Sequence, residues 1–136
     1  MTADSYIIDD AAQGAFRLNR EVLVSADVLA RETTRIFERC WIYVGHGSEI
    51  KAPGDFRSRR VVGRPVIFCR DNDGVVGCLF NTCRHRGAIV CRERAGNSRR
   101  FYCVYHGWTY DSAGKLVGIP GEGAYGDGFD AADHAL

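Results

Sequence analysis

The sequence predicts a mostly β protein, an antiparallel β-sandwich or small barrel with one N-terminal helix. Short apolar segments recur from about residue 53 onward, and clusters of Gly, Pro, Asn or Asp separate them. Only one earlier stretch has the spacing of an amphipathic helix. The 136 residues, 46% hydrophobic and 26% charged, favour one folded core over disorder.

The helix is predicted over residues 26–39. Ser25 is a typical N-cap, and the residues that would form the packed face of the helix follow it at helical spacing. Those positions are Leu29, Thr33, Ile36, Phe37 and Cys40. Residues 1–19 show little periodicity, so we expect an irregular arm there. Trp41–Val44 has the composition of a short strand.

Most strands are predicted to follow the turn at Pro53–Asp55. Asp71–Gly74 has the composition of a hairpin turn, and Asp111–Gly114 turns the chain into a last short segment. The strands are predicted at 56–62, 66–70, 75–80, 88–92, 99–103, 108–110 and 115–118.

The tail, residues 119–136, mixes glycines with acidic residues and has few apolar side chains. We therefore expect a linker or an exposed extension. The predicted organisation is an N-terminal arm and helix at 1–40, a β domain at 41–118 and a linker at 119–136.

Charge and hydropathy exclude several classes of partner. A net charge of +1 argues against nucleic-acid binding, which favours a strongly basic domain. No apolar run reaches the length of a membrane span, and residues 1–10 lack the basic and apolar segments of a secretory signal. We expect a cytoplasmic protein that binds neither nucleic acid nor membrane.

The six cysteines indicate metal binding in a reducing compartment rather than disulfides, because nothing in the sequence directs export. Cys40, Cys69 and Cys78 lie within apolar stretches, so we expect small buried side chains there. His46, alone in a loop, is expected to be structural.

Two short loops carry the strongest functional signal. Cys83 and His85 form a C-x-H pattern, and seventeen residues later Cys103 and His106 form C-x-x-H. Two thiolates on one iron and two imidazoles on the other make a Rieske-type [2Fe–2S] cluster, so these residues are predicted to hold one. The glycines that follow the histidines, and that suit tight turns around a cluster, are Gly87 and Gly107.

Two alternatives compete with the cluster. Zinc sites of the Cys2His2 type hold one tetrahedral ion, but they usually pair two cysteines in one loop with two histidines on a helix. Here each loop holds one of each. Accidental placement of two core cysteines and two surface histidines would leave the matched glycines unexplained. The mixed loops favour the cluster.

Formal charge predicts the behaviour of such a cluster. Two ferric ions, two sulfides and two thiolates sum to zero when the histidines are neutral, so reduction is easier than for an all-cysteine cluster. Because imidazoles can stay partly exposed, we expect His85 and His106 to form the face through which electrons leave.

With these loops, the sequence resembles the N-terminal Rieske domain of the alpha (large) subunit of aromatic-ring-hydroxylating dioxygenases. The matching stretches are Phe37–Trp41, Gly45–His46, Pro53–Phe56, Asn81–Gly87 and Cys103–Trp108. The resemblance implies the Rieske fold and a mononuclear Fe(II) in a C-terminal catalytic domain, on two histidines and a carboxylate. Outside the two loops only His46 and His134 remain, so this chain alone is not expected to hydroxylate anything.

The function implied by the resemblance is electron transfer from a ferredoxin or reductase to that mononuclear iron, in aromatic hydrocarbon catabolism. The acceptor iron is implied to belong to a neighbouring alpha subunit, and a beta subunit is a further implied partner. A stand-alone Rieske ferredoxin is the first alternative, because the chain is short. A zinc-binding structural module is the second.

The residues next to the four predicted ligands are expected to set the reduction potential of the cluster. In high-potential Rieske proteins a disulfide joins the positions of Ala88 and Tyr105, and a serine occupies that of Trp108. This chain can form neither feature, and fewer hydrogen bonds to sulfur predict a potential at the low end of the Rieske range. The expected neighbours are Gly87, Tyr105, Gly107 and Trp108.

Six arginines and a single acidic residue, Glu93, lie between Asn81 and Tyr102. They form either a solvated face or a positive collar that steers an acidic donor. Arg84 and Arg86 flank His85 and are predicted to dock the partner. The other four are Arg92, Arg94, Arg99 and Arg100.

Overall fold

Antiparallel strands make up most of the regular structure in the computed structural model, which describes residues 6–136. The chain divides into two compact units, Met1–Ile42 and Tyr43–Leu136. Every strand pairing in the described range is antiparallel and the helices are short, so the mostly β prediction is confirmed. No helix in that range is long and apolar enough to cross a membrane.

The first unit combines a β-hairpin with short helices. Ser25 caps the second helix as predicted, because its hydroxyl accepts a hydrogen bond from the Val28 N–H at 3.4 Å. The elements are β1 (Ile7–Asp10), β2 (Ala15–Leu18), α1 (Glu21–Val24) and α2 (Ala26–Glu32), with a π-helical continuation at Thr33–Phe37.

Two predictions for this part of the chain are wrong. The arm is a hairpin, because the Asp10 carboxylate accepts from the Ala12 and Gln13 N–H groups at 3.1 Å and closes a turn. Residues 1–5 of the predicted arm lie outside the described range. No strand forms at Trp41–Val44, where no described strand pairs with the backbone and Trp41 is fully exposed.

The second unit contains two sheets, with strand orders β5-β4-β3-β6 and β7-β8-β9. Their strands are β3 (Asp55–Val61), β4 (Arg64–Arg70), β5 (Val76–Phe80), β6 (Ala95–Asn97), β7 (Arg100–Tyr102), β8 (Thr109–Asp111) and β9 (Leu116–Gly118). Six of the predicted strands are found close to their expected positions.

The strand predicted at 88–92 does not form. The N–H groups of Val90 and Cys91 donate to the Asn81 side-chain carbonyl at 3.1 and 2.8 Å, so they are not available for a β-ladder. The chain pairs instead three residues later, at β6, which the sequence pattern does not predict.

The core of the second unit includes Ile67, Phe101, Tyr110 and, as expected, Cys69. The other two cysteines predicted as buried are exposed. Cys78 precedes the buried Leu79 on β5, and alternation along a strand turns neighbouring side chains to opposite faces. Cys40 follows the π-helical turn, outside the hydrophobic core.

The tail is not an exposed extension. It forms two short 3₁₀ turns, Glu122–Ala124 and Ala131–His134, and its last N–H, on Leu136, donates to the Gly114 carbonyl at 2.9 Å. Its larger side chains pack on the core of the second unit: Ile119, Tyr125, Phe129, Ala131 and Leu136. Its role as a linker to a further domain stays a prediction.

Candidate metal centre

The first loop (Cys83–Ala88) follows β5, and the second loop (Cys103–Trp108) connects β7 to β8. In each, the cysteine N–H donates to the carbonyl five residues later, and the cysteine carbonyl accepts from the glycine N–H four residues later. These distances are 2.7 and 2.8 Å in the first loop, and 2.8 and 2.9 Å in the second. The sequence therefore builds the same closed turn twice.

Each turn is completed by a glycine in the left-handed region, Gly87 at φ +74° and Gly107 at φ +77°. This conformation strains residues that have a side chain. A Cβ at Gly87 would meet nothing within 4 Å, whereas one at Gly107 would lie 2.7 Å from the Pro120 ring. The second glycine is therefore fixed by space as well as by backbone conformation.

The two predicted thiol ligands are buried and adjacent. Cys83 is 3% exposed and Cys103 is 1% exposed. Burial raises the pKa of the Cys103 thiol, and the Cys83 side chain beside it acts in the same direction. A metal that replaces the thiol protons would remove this cost of burying two charged thiolates.

A tyrosine not singled out from the sequence connects β8, the strand that follows the second loop, to the first loop. The Tyr110 hydroxyl lies 3.3 Å from Cys83 Sγ and accepts a hydrogen bond from the Arg84 N–H at 3.0 Å. Burial raises the Tyr110 pKa, so the hydroxyl keeps its proton and can donate it to the sulfur. The Cys83–Tyr110 separation of 27 residues hides this contact from motif analysis.

The two predicted imidazole ligands are partly exposed and adjacent. The ring centroids of His85 and His106 are 4.6 Å apart. His85 Nδ1 is buried and has no hydrogen-bond partner among the described residues. Burial lowers the His85 pKa, as do His106 and Arg86, so the ring is held in the neutral form that binds metals. A metal ion fits this orphaned nitrogen, because buried polar atoms are normally paired.

Aromatic side chains cover both imidazoles. Trp108 is 2% exposed and stacks on His85, with centroids 4.9 Å apart and planes 11° apart. The Tyr105 ring contacts the His106 ring, with centroids 3.9 Å apart and planes tilted by 37°. Two of the residues expected around the predicted ligands, Tyr105 and Trp108, thus lie beside the imidazoles.

The six arginines are divided between the first loop and three cavities, and Arg92 and Arg100 share one of these, of about 460 Å³. Arg84 and Arg86 lie exposed in the first loop, on either side of His85. Arg92 and Arg94 line an open cavity of about 720 Å³ with other arginines of the first sheet. Arg99 and Arg100 line another cavity, of about 580 Å³, beside Asp111. Only the first pair directly flanks a predicted ligand.

The remaining described histidines lie outside the two loops. His46 caps the 3₁₀ turn Gly47–Glu49: its Nδ1 accepts from the Ser48 N–H, and its own N–H donates to Glu49. His134 donates from Nδ1 to the Asp130 carbonyl in the tail. No group of three or more His, Cys, Asp or Glu between residues 6 and 136 is arranged around a single ion. A [2Fe–2S] cluster of this type needs two protein ligands per iron.

Comparison with known proteins places these features in a family. A family model described as the Rieske [2Fe-2S] domain matches residues 40–127. Chlorobenzene dioxygenase subunit alpha from Cupriavidus sp. (strain PS12) is 42% identical over 108 residues, 79% of this chain and 24% of that protein. Toluate 1,2-dioxygenase subunit alpha from Pseudomonas putida is 36% identical over 129 residues, 93% of this chain and 28% of that protein. The chain spans about a quarter of the length of these relatives.

Solved structures agree with this. Naphthalene 1,2-dioxygenase from Rhodococcus sp., bound to indole, superposes with a TM-score of 0.80 at 40% identity, over 88% of this chain and 27% of that one. A quaternary ammonium Rieske monooxygenase superposes with a TM-score of 0.76 at 30% identity, over 85% of this chain and 32% of that one.

Proposed function

The chain belongs to the Rieske [2Fe–2S] domain family, as its loops predict, and from that premise we propose that it relays single electrons in a ring-hydroxylating non-haem-iron dioxygenase. One observation carries the proposal: two loops with the same backbone hydrogen bonds bring together two buried thiols and two part-exposed imidazoles. The dioxygenase class comes from the alpha subunits to which the chain is similar.

In this proposal Cys83 and Cys103 hold one iron, and His85 and His106 hold the other. Buried thiols that interact and an orphaned imidazole nitrogen are a suitable donor set for it. When bound, the cluster supplies a one-electron couple at a higher potential than the all-cysteine clusters of plant-type ferredoxins.

The protein's own residues would then divide the work. Burial of Cys83 and Cys103 keeps water from the sulfur side, and Tyr110 donates a hydrogen bond to Cys83. His85 and His106 keep part of their rings at the surface, so they provide the face through which electrons leave. The potential belongs at the low end of the Rieske range, because the chain has no loop disulfide and Trp108 has no hydroxyl to donate.

Partners follow from the same proposal. Arg84 and Arg86 dock an acidic ferredoxin or reductase beside the imidazoles. The acceptor is a mononuclear Fe(II) in a catalytic domain outside this chain, on a neighbouring alpha subunit, with a beta subunit in the assembly and an aromatic hydrocarbon as substrate. We place the assembly in the cytoplasm.

A stand-alone Rieske ferredoxin is the alternative that the same site supports, since the ligand loops do not depend on the acceptor. The two differ in what accepts the electron. A chain that reduces free cytochrome or an unrelated oxygenase as fast as the mononuclear iron of its own assembly would favour the carrier.

The experiment is reconstitution of the purified chain with iron and sulfide, followed by visible absorption and electron paramagnetic resonance after dithionite. We expect a red-brown protein with the low average g value of imidazole-ligated clusters. Cys83→Ser and His85→Ala should abolish the signal, whereas the matched controls Cys78→Ser and His46→Ala should keep it. A colourless chain that binds zinc with the same four residues would refute the proposal.

A further inference from the structure

We propose that the tail is a positioning element for His85: Tyr125, Phe129 and His134 hold Trp108 in place, and Trp108 holds the His85 ring. The inference rests on the proposed function in one respect, that His85 is an iron ligand. It gives a role in the metal centre to a segment whose composition predicts a linker.

The first step is the contact between Trp108 and His85. The two rings are almost parallel, 11° apart, with centroids 4.9 Å apart. Trp108 itself is 2% exposed, so it cannot swing into solvent without losing its packing. One face of the imidazole is therefore fixed by a buried, planar side chain, which restricts rotation of the His85 ring.

The second step is what packs around Trp108. Three rings of the tail meet it edge to face: Tyr125 at 6.2 Å, Phe129 at 6.0 Å and His134 at 5.6 Å between centroids. These separations are within the range of favourable aromatic pairs.

The tail rings also contact one another, which makes them one unit. Phe129 lies 4.7 Å from Tyr125 and 4.7 Å from His134, and it stacks on the latter at 28°. The hydrogen bond from His134 Nδ1 to the Asp130 carbonyl, 2.9 Å, fixes the ring that ends this cluster. Disturbing Phe129 should therefore disturb all the contacts to Trp108.

A third contact comes from the start of the tail. The Pro120 ring lies against Gly107, where a Cβ would approach it to 2.7 Å. Gly107 directly follows His106, so the tail contacts the second loop at two successive residues, Gly107 and Trp108. The tail thus covers the indole that supports one predicted ligand and the glycine that follows the other.

The expected consequence is electrostatic as well as geometric. The rings of the tail and Trp108 keep water from one face of the His85 ring, and water favours the more negatively charged reduced cluster. Loosening the cover should raise the midpoint potential. It should also change the g anisotropy, because the imidazole orientation relaxes.

The test uses the full chain loaded with its cluster. Phe129→Ala and His134→Ala remove rings that touch Trp108, and Phe129→Tyr conserves the ring. Leu136→Ala is the control, because Leu136 belongs to the same tail and packs on the core of the second unit, but its N–H donates to Gly114. We expect a more positive potential and altered g values in the first two variants, wild-type values in Phe129→Tyr and Leu136→Ala, and similar losses of thermal stability in Phe129→Ala and Leu136→Ala.

Wild-type potential and g values in Phe129→Ala and His134→Ala would overturn the inference, as would an equal shift in Leu136→Ala. A wild-type chain without a Rieske signal would instead defeat the proposed function. If Phe129→Ala does not load its cluster, Phe129→Leu is compared by acrylamide quenching of the cluster-free chain in a Trp41→Phe background, where Trp108 is the single tryptophan. Increased quenching would support the inference, and unchanged quenching would overturn it.

Discussion

The two loops have the same backbone hydrogen bonds but different surroundings. The first loop is open: Gly87 has free space beside it, and Arg84 and Arg86 lie exposed. The second is enclosed at its end, where Gly107 lies against Pro120 and Trp108 is buried under the tail, while Val104 and Tyr105 remain exposed. The end of the second loop is therefore held by the tail, whereas Gly87, the matching glycine of the first loop, has free space beside it.

Replacing each glycine by alanine should give the largest difference in stability between variants of the two loops. Gly87→Ala carries only the strain of the left-handed backbone, about 1–2 kcal/mol. Gly107→Ala adds a collision with a rigid proline ring, which raises the loss to roughly 2–5 kcal/mol. Urea unfolding of the two variants under identical conditions measures both values.

The double variant Gly107→Ala with Pro120→Ala supplies the control, because it removes the collision and keeps the strain. Its stability should recover toward that of Gly87→Ala once the loss from Pro120→Ala alone is subtracted. Equal losses of stability in Gly87→Ala and Gly107→Ala would show that the contact between Gly107 and Pro120 does not affect the free energy of unfolding.

Tyr110→Phe should weaken the contact between β8 and the first loop. The change removes the donor to Cys83 Sγ and leaves the Arg84 N–H without its acceptor. We expect the free energy of unfolding to fall by about 1–2 kcal/mol. The midpoint potential should fall, because hydrogen bonds to the cluster sulfurs raise it. Voltammetry and urea unfolding measure the two effects, and Tyr43→Phe, an exposed tyrosine, is the control. An unchanged potential would mean that the hydroxyl does not donate to the sulfur.

The sequence predicts those features of the site that lie within a few residues of one another along the chain. The patterns around Cys83 and Cys103 lie within six residues each, so their spacing constrains the chemistry directly. The Tyr110 contact depends on how β8 packs against the first loop, and no short motif records that. The four candidate ligands could therefore be named from the sequence, and their binding of a metal stays a prediction, whereas the tyrosine beside Cys83 could not be named.

The wrong predictions about the fold have a similar origin. Segment 88–92 has the composition of a strand, but the side chain of Asn81 binds two of its N–H groups. The tail has too few apolar residues for a core of its own, yet Phe129 and Tyr125 pack against Trp108 in the core of the second unit. In both cases a tertiary contact outweighs local composition.

Hydrogen exchange on the cluster-free chain tests whether the enclosed loop is ordered without its metal. The amides of Cys103 and Gly107 should exchange roughly ten times more slowly than those of Cys83 and Gly87, because local opening of the first loop breaks fewer packed contacts. Loading the cluster should slow exchange in both loops and reduce the difference. Equal exchange in the cluster-free chain would show that the metal alone orders both loops.

The smallest effect concerns the open side of the first loop. Arg84→Ala with Arg86→Ala should slow reduction of the loaded chain by a small acidic ferredoxin roughly five-fold at about 0.01 M salt, and the difference should vanish near 1 M. The matched control is Arg92→Ala with Arg94→Ala, which removes the same charge from a cavity of the first sheet. Stopped-flow rates that fall equally in the two double variants would mean that net charge attracts the donor, with no preferred docking beside His85. A selective loss in the first variant would assign docking to the loop that the fold leaves uncovered.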